Sequence, residues 1–370
     1  MANPCATNRD GPRTKRRRSE SAEGSSLALA ATTKFTRFEH LWFSDGNVVL
    51  QAQHTQFRVH CTLLSTQSTF LKKIFTAIQP KTSTTDSSEL IEGCPLIRLT
   101  DSAADWKNVL ETVYLGLAVT KWRGPIKVSR LVAMLRLGHK YDFAHLKEEG
   151  LDRLMAVYPD NLETFMGARN GVDLEWDGGW TFCDLVNLAI ELRLQRLLPA
   201  LYLRAMCSMA FTMTELLYDG LTRSPGGERV KIHPSAHKAL VMGRDAIIAR
   251  MHTDIFGFLS SVYEWRSPTD TSASTELGFQ DCTSPECRRS KGLIHYHVFV
   301  PTTQLHAIFM NWDSHQLGQG ICDECRRDID LWGARNRLWE ALPQIFFLGN
   351  EWKDLKNFDC DSDLHRSAVP

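Results

Sequence analysis

The change of hydrophobic period between Val48 and Phe75 constrains this chain most. Val48 to Ala52 is a short apolar run of β-branched character, Gln53 to Gln56 reads as a turn, and Phe57 to Val59 resumes the extended pattern. The two runs are expected to pair as a hairpin. From Leu63 the spacing changes: Leu63, Leu64, Phe70, Leu71, Ile74 and Phe75 recur three and four residues apart, which places them on one buried helical face. A strand at Leu96-Ile97-Arg98-Leu99 and a helix carrying Trp106, Val109, Leu110, Val113 and Tyr114 follow. Val128 to Leu137 and Phe143 to Met155 then read as an antiparallel helix pair, with His139 to Asp142 as the turn. The class this predicts is α+β.

That succession, with the strings Asp45-Gly46-Asn47-Val48-Val49-Leu50-Gln51, Phe57-Arg58-Val59-His60, Glu92-Gly93-Cys94-Pro95 and Tyr114-Leu115-Gly116, resembles the BTB/POZ domain. Within that family it is most similar to BTB proteins of basidiomycete fungi, and the resemblance covers about residues 36 to 158. It implies a module for protein binding and dimerisation, with itself or with another BTB protein, and with no chemistry of its own. The interface is expected around Phe35, Phe38, Leu41 and Trp42, a cluster too apolar for a free tail. Residues 34–158 are accordingly expected to fold alone and self-associate.

One departure bears on partners. Many transcriptional BTB domains carry a buried acid–base pair that here would fall on Asn47 and Cys61. The ion pair is expected to be missing, which need not destabilise the fold but puts corepressor binding in doubt. An alternative use in the family is as substrate adaptor of a cullin-type ubiquitin ligase, through a hydrophobic-x-Glu element. The nearest string here is Leu90-Ile91-Glu92, since Ile78-Gln79-Pro80 at the more natural position lacks the acid.

At 370 residues the chain exceeds the usual single domain, and with 43% hydrophobic and 23% charged residues it can bury sizeable cores. The 43 basic and 43 acidic side chains cancel, so no global field favours nucleic acid or an acidic membrane. Leu27 to Ala31 is the only apolar patch near the start, far short of the roughly 20 residues that span a bilayer. The chain is expected to remain inside the cell, nuclear or cytoplasmic, without membrane contact. Residues 1–33 read as a disordered tail whose run Lys15, Arg16, Arg17 and Arg18 has the character of a nuclear localisation signal. Pro80 to Ser88 reads as an exposed polar loop.

Beyond Pro159 a helical period continues without the BTB pattern. Leu185, Leu188, Ala189 and Leu192 share one face; Leu197, Leu198, Leu201 and Met206 begin another, with Pro199 tolerated in the first turn. His237 to about Tyr263 supplies a third stretch. The expected organisation is the BTB/POZ domain at 34–158, a helical domain at 159–265 and a C-terminal helical region at 266–370, so that the second half of the chain is mainly α-helical. The fungal proteins it resembles carry a similar helical tail, with phrases like Leu198-Pro199-Ala200-Leu201-Tyr202 and Leu338-Trp339-Glu340-Ala341-Leu342-Pro343.

Ten cysteines in so long a chain are too sparse for a disulfide framework. Cys61, Cys183 and Cys207 sit in apolar helical contexts and are expected to be buried thiols. Cys282 and Cys287, four residues between them, and Cys322 and Cys325, two between them, have metal-ligand spacing. Two such pairs could build a four-thiolate zinc site, a structural staple with no open position for catalysis. His295-Tyr296-His297 would put both imidazoles on one face if extended, so a mixed site is an alternative. Catalytic motifs are lacking: Gly226-Gly227 and Gly318-Gln319-Gly320 have no phosphate-loop context, and no nucleophile elbow occurs. His60 is expected at the packed start of a helix. Lys121, Trp122 and Arg123 are too few for a nucleic-acid stacking groove.

Overall fold

The structure is a computed structural model and describes residues 35–78, 90–116, 124–167, 174–223, 227–262, 282, 284–310 and 318–358. The basic run Lys15 to Arg18, the polar stretch Pro80 to Ser88, and Lys121 to Arg123 lie outside the described residues.

The first half is a five-stranded sheet with helices packed on it. Its elements are β1 (Thr36–Trp42), β2 (Val48–Ala52), β3 (Thr55–Val59), α1 (Cys61–Gln67), α2 (Thr69–Ile78), β4 (Leu90–Ile91), β5 (Cys94–Leu99) and α3 (Ala103–Leu115). The sheet order is β1-β3-β2-β5-β4. All five residues of β2 are buried, because the strand lies between antiparallel β3 and parallel β5. Its one polar side chain, Gln51, has its Oε1 satisfied by Gln56 Nε2 at 2.9 Å across the ladder, as a buried amide requires. The first hairpin turn is tighter than expected. Gln53 takes a positive φ of 51°, so Thr55 and Gln56, expected in the turn, instead pair with Ala52 and Gln51. The β4–β5 turn places Glu92 and Gly93 at φ 50° and 76°, the mirror-image geometry that matches strand twist. Ser102 starts α3 by accepting the Asp105 N–H.

Next come β6 (Ile126–Lys127), α4 (Val128–Lys140), α5 (Ala144–Val157), α6 (Leu162–Gly167), β7 (Leu174–Glu175), α7 (Trp180–Glu191), α8 (Leu198–Cys207), β8 (Leu221–Thr222), β9 (Arg229–Val230) and α9 (Ser235–Arg250). The chain continues through α10 (Pro285–Phe299), α11 (Asp323–Asp328), α12 (Leu331–Glu340) and α13 (Leu342–Ile345). Short pairs β6–β7 and β8–β9 aside, this half is helical. The helix predicted to end at Leu137 runs on to Lys140, and the turn falls on Tyr141 to Phe143. The stretch from His237 is α-helical to Arg250, widens into a π-type turn at Met251–Ile255, breaks at Phe256 and continues as a tighter 3₁₀ turn at Gly257–Val262.

Two hydrophobic cores result, and α4 belongs to both. Ala133 and Leu137 join the sheet core, which contains Val48, Leu50, Phe57 and Trp106. Val128, Leu131, Val132 and Leu135 join the helical core. Eight of the thirteen α4 residues are buried, because the helix packs against both cores. The helical core also takes Leu154, Val157 and Tyr158 from α5 and runs without interruption to Leu355, including Cys287, Ile294 and Val298 of α10. Residues on either side of 158/159 thus share one core, while the 265/266 boundary lies outside the described residues. From Thr36 onward the chain forms one compact unit. Its last described residues return to earlier helices: Lys356 O accepts the Gln195 N–H at 3.0 Å, and Phe358 stacks on His139 at 5.4 Å.

Candidate metal centre

The four paired cysteines come together. Their sulfur atoms all lie within 4.8 Å of one another, with Cys282 Sγ and Cys322 Sγ 3.5 Å apart. All four are free thiols, and 3.5 Å is far beyond a disulfide bond. Four sulfurs tetrahedral about one Zn²⁺ at 2.3 Å would stand about 3.8 Å apart, so the cluster is near the size that a tetrathiolate ion requires.

Local structure explains the convergence. Ser284 caps α10 by accepting the Cys287 N–H at 3.3 Å, and Pro285 occupies the first helical turn, where its missing N–H costs nothing. Cys287 thus enters the first turn on the buried face of α10. In the second segment the Ile321 N–H closes a turn on Gly318 O at 3.2 Å, and Cys322 becomes the N-cap of α11, with Cys325 one turn later. The segments approach closely at Gly320. A Cβ there would sit 2.3 Å from Ser290 Oγ and 3.3 Å from Glu286 O, both on α10, so only glycine lets the second pair reach the first unobstructed.

Backbone amides point at the sulfurs. The Cys325 N–H donates to Cys322 Sγ, and the Cys322 N–H donates to Cys287 Sγ. The first of these, with help from the Cys282 thiol, lowers the Cys322 thiol to about 7. Burial acts oppositely on its neighbours: it pushes Cys325 up to about 12 and raises Cys287. One negative charge is held readily among four sulfurs, and the remaining protons leave when a cation replaces them. An all-thiolate donor set is soft and closed, suited to a structural ion.

His295 and His297 do not contribute. They lie on α10, not on a strand, eight and ten residues beyond Cys287 and hence about 12 Å or more along the axis. On a helix the two imidazoles point to different sides, and His295 sits against Phe299, ring centroids 5.1 Å apart. The mixed Cys/His site is not formed.

β1 separates the residues expected at the association surface. Leu41 is fully buried in the sheet core. Phe38 is half buried against Phe57, centroids 5.9 Å apart, with Lys107 Nζ 4.9 Å over its ring. Trp42 lies under the Arg37 guanidinium at 4.5 Å, and Phe35 is exposed. The four do not share one apolar face, because strand side chains alternate and the β1–β3 register shifts between Arg37 and Trp42.

His60 is the N-cap residue of α1. Its N–H donates to Tyr114 Oη at 2.7 Å, its Nε2 lies 3.2 Å from Asp45 Oδ1, and its ring packs 5.2 Å from Phe43. Asn47 and Cys61 meet directly: Asn47 Oδ1 accepts the Cys61 N–H at 2.8 Å, so a neutral amide caps the helix where a charged pair was expected to be missing. Glu92 is bound by Arg37 at 2.5 Å and Arg58 at 3.1 Å, while Leu90 is exposed. Cys183 is buried, whereas Cys61 and Cys207 are only partly so. A cleft of about 430 Å³ between α5, α7 and α8 is lined by Tyr158, Phe182, Arg204, Cys207 and Phe211 among others. Burial lifts its Cys207 thiol to about 12, which keeps it protonated and a poor nucleophile at neutral pH.

One residue of the centre was not singled out from sequence. Lys291 is buried on α10, one turn beyond Cys287 and on the same buried face. The signal was present in the period of the helix: Cys287, Lys291, Ile294 and Val298 form its buried stripe, and a lysine in an apolar stripe calls for a partner. No protein-family model, curated protein or solved structure matches this chain.

Proposed function

We propose that this chain is a protein-interaction scaffold of BTB/POZ type whose C-terminal helical region is closed by a structural zinc ion. The observation that supports association is the open sheet edge. β1 pairs with β3 on one side, and among the described residues no strand covers its other side. An edge strand of seven residues offers unpaired N–H and C=O groups on which a strand of a second chain can add. Phe35 stands exposed beside its start, and Phe38 and Trp42 supply half-buried aromatic area along it. The order of hairpin, helix pair, second hairpin and helix agrees with the family whose strings the sequence carries. The cullin-adaptor reading is weaker, because Glu92 of the nearest hydrophobic-x-Glu string is engaged by two arginines of its own chain.

The zinc half rests on the four converging sulfurs. Two measurements test the proposal separately. Light scattering of the full chain at micromolar concentration is expected to give the mass of a dimer; a monomer at high micromolar concentration overturns the association. Metal analysis of protein purified under reducing conditions without chelator is expected to give about one zinc per chain, the stoichiometry of a four-thiolate site. A value near zero removes the metal from the proposal.

A further inference from the structure

We infer that Lys291 is the charge-compensating residue of the cysteine centre, its buried ammonium offsetting the charge of a doubly negative metal–tetrathiolate. This deepens the zinc reading and rests on it.

The argument begins with where the lysine lies. On α10 the residues at 287, 291, 294 and 298 are buried, a spacing of four, three and four that marks the face packed on the helical core. Three are apolar or thiol; the fourth is a lysine only 9% exposed. A lysine so placed costs several kcal/mol in desolvation unless a negative group meets it. Among the described residues no carboxylate forms an ion pair with it, and one turn before it on the same buried stripe stands Cys287 of the sulfur cluster. Other cations nearby are used elsewhere: Arg326 Nη2 donates to Gly318 O at 2.9 Å and Arg327 Nε to Asp323 O at 3.3 Å, and both side chains are exposed.

Charge counting supplies the reason. Four thiolates and one divalent ion carry a net charge of −2, and Cys287, the innermost ligand, is wholly buried. Backbone N–H groups serve Cys322 and Cys287. Removing the ammonium would leave the centre and its buried surroundings one unit more negative. Ligands outside the coordination sphere that orient and neutralise a donor typically change metal affinity 10- to 100-fold.

The test compares full-length wild type with Lys291→Met, Lys291→Gln and Lys291→Arg, all zinc-loaded, by the rate at which zinc passes to a colorimetric chelator in excess. Met and Gln keep much of the lysine's length without its charge; Arg keeps the charge. Expected is zinc release at least tenfold faster in both neutral variants, with Arg within about threefold of wild type. A lysine that merely filled the core would give the opposite order, since methionine suits an apolar stripe better than an ammonium does. Wild-type-like release from either neutral variant overturns the inference, as does Arg releasing zinc as fast as Met. Tetrahedral thiolate absorption after cobalt substitution confirms that each variant keeps the four-sulfur site. Wild type that holds no metal refutes the zinc reading itself; wild type with one zinc and an indifferent Lys291→Met refutes only the role of the lysine.

Discussion

At the scale of single residues, the second half of the chain is held together by positions where size is critical. Gly243 lies inside α9, and a Cβ there would fall 2.5 Å and 2.6 Å from two ring atoms of Phe346. That ring is 1% exposed and stands edge-on to Tyr202, centroids 5.3 Å apart, so admitting a methyl group requires it to shift. Alanine would gain roughly 1 kcal/mol of helix propensity but overpack a fixed contact, which costs about 1–3 kcal/mol and occasionally more. Gly243→Ala is therefore expected to lower the urea midpoint with an unchanged slope. A variant as stable as wild type would mean that Phe346 repacks freely and that α9 and α13 are less tightly joined than their contact implies. Neither this glycine nor Lys291 stood out from sequence alone, because the meaning of each depends on what another helix presents to it. The cysteine pairs did stand out, since the ligand spacing is local and only their meeting is not.

At the scale of elements, local signals decided the outcome where a start signal and a period agreed. Hairpin, helix pair and strand in the first half follow from alternation giving way to a three-and-four spacing, and Pro199 sits in the first turn of α8 as predicted. Strand chemistry misled around His295. The string Tyr296-His297-Val298-Phe299-Val300 is aromatic and β-branched, yet it completes a helix because Ser284 and Pro285 start one and the buried stripe ends at Val298. Tertiary burial overrode intrinsic preference there. In α4 the legible part was the helix itself. What could not be read was that its buried residues divide between two cores, since a hydrophobic period marks which residues are buried and not which neighbour buries them.

At the scale of the whole molecule, sharing α4 alters what can be cut from what. A fragment of residues 34–158 would retain the sheet core but expose Val128, Leu131, Val132 and Leu135 of α4 together with Leu154 and Val157 of α5, all buried in the intact chain. A patch of that kind is an aggregation liability. The fragment is expected to precipitate or to unfold without cooperativity, whereas residues 34–358 should give one urea transition by both near- and far-ultraviolet circular dichroism. Two separated transitions in the longer chain, or a well-behaved fragment, would restore the two halves to independent folding units.

The cysteine centre adds a topological consequence. Cys282 and Cys322 are 40 residues apart in sequence, so an ion held by both pairs turns the chain between them into a ring. If the ion stays bound when the rest of the molecule is denatured, that ring loses conformational freedom worth about 4 kcal/mol on the loop-entropy scale. The metal then acts on the unfolded chain as much as on the folded one, keeping α10 and α11 tethered so that each attempt at folding begins with these two helices already in reach of each other.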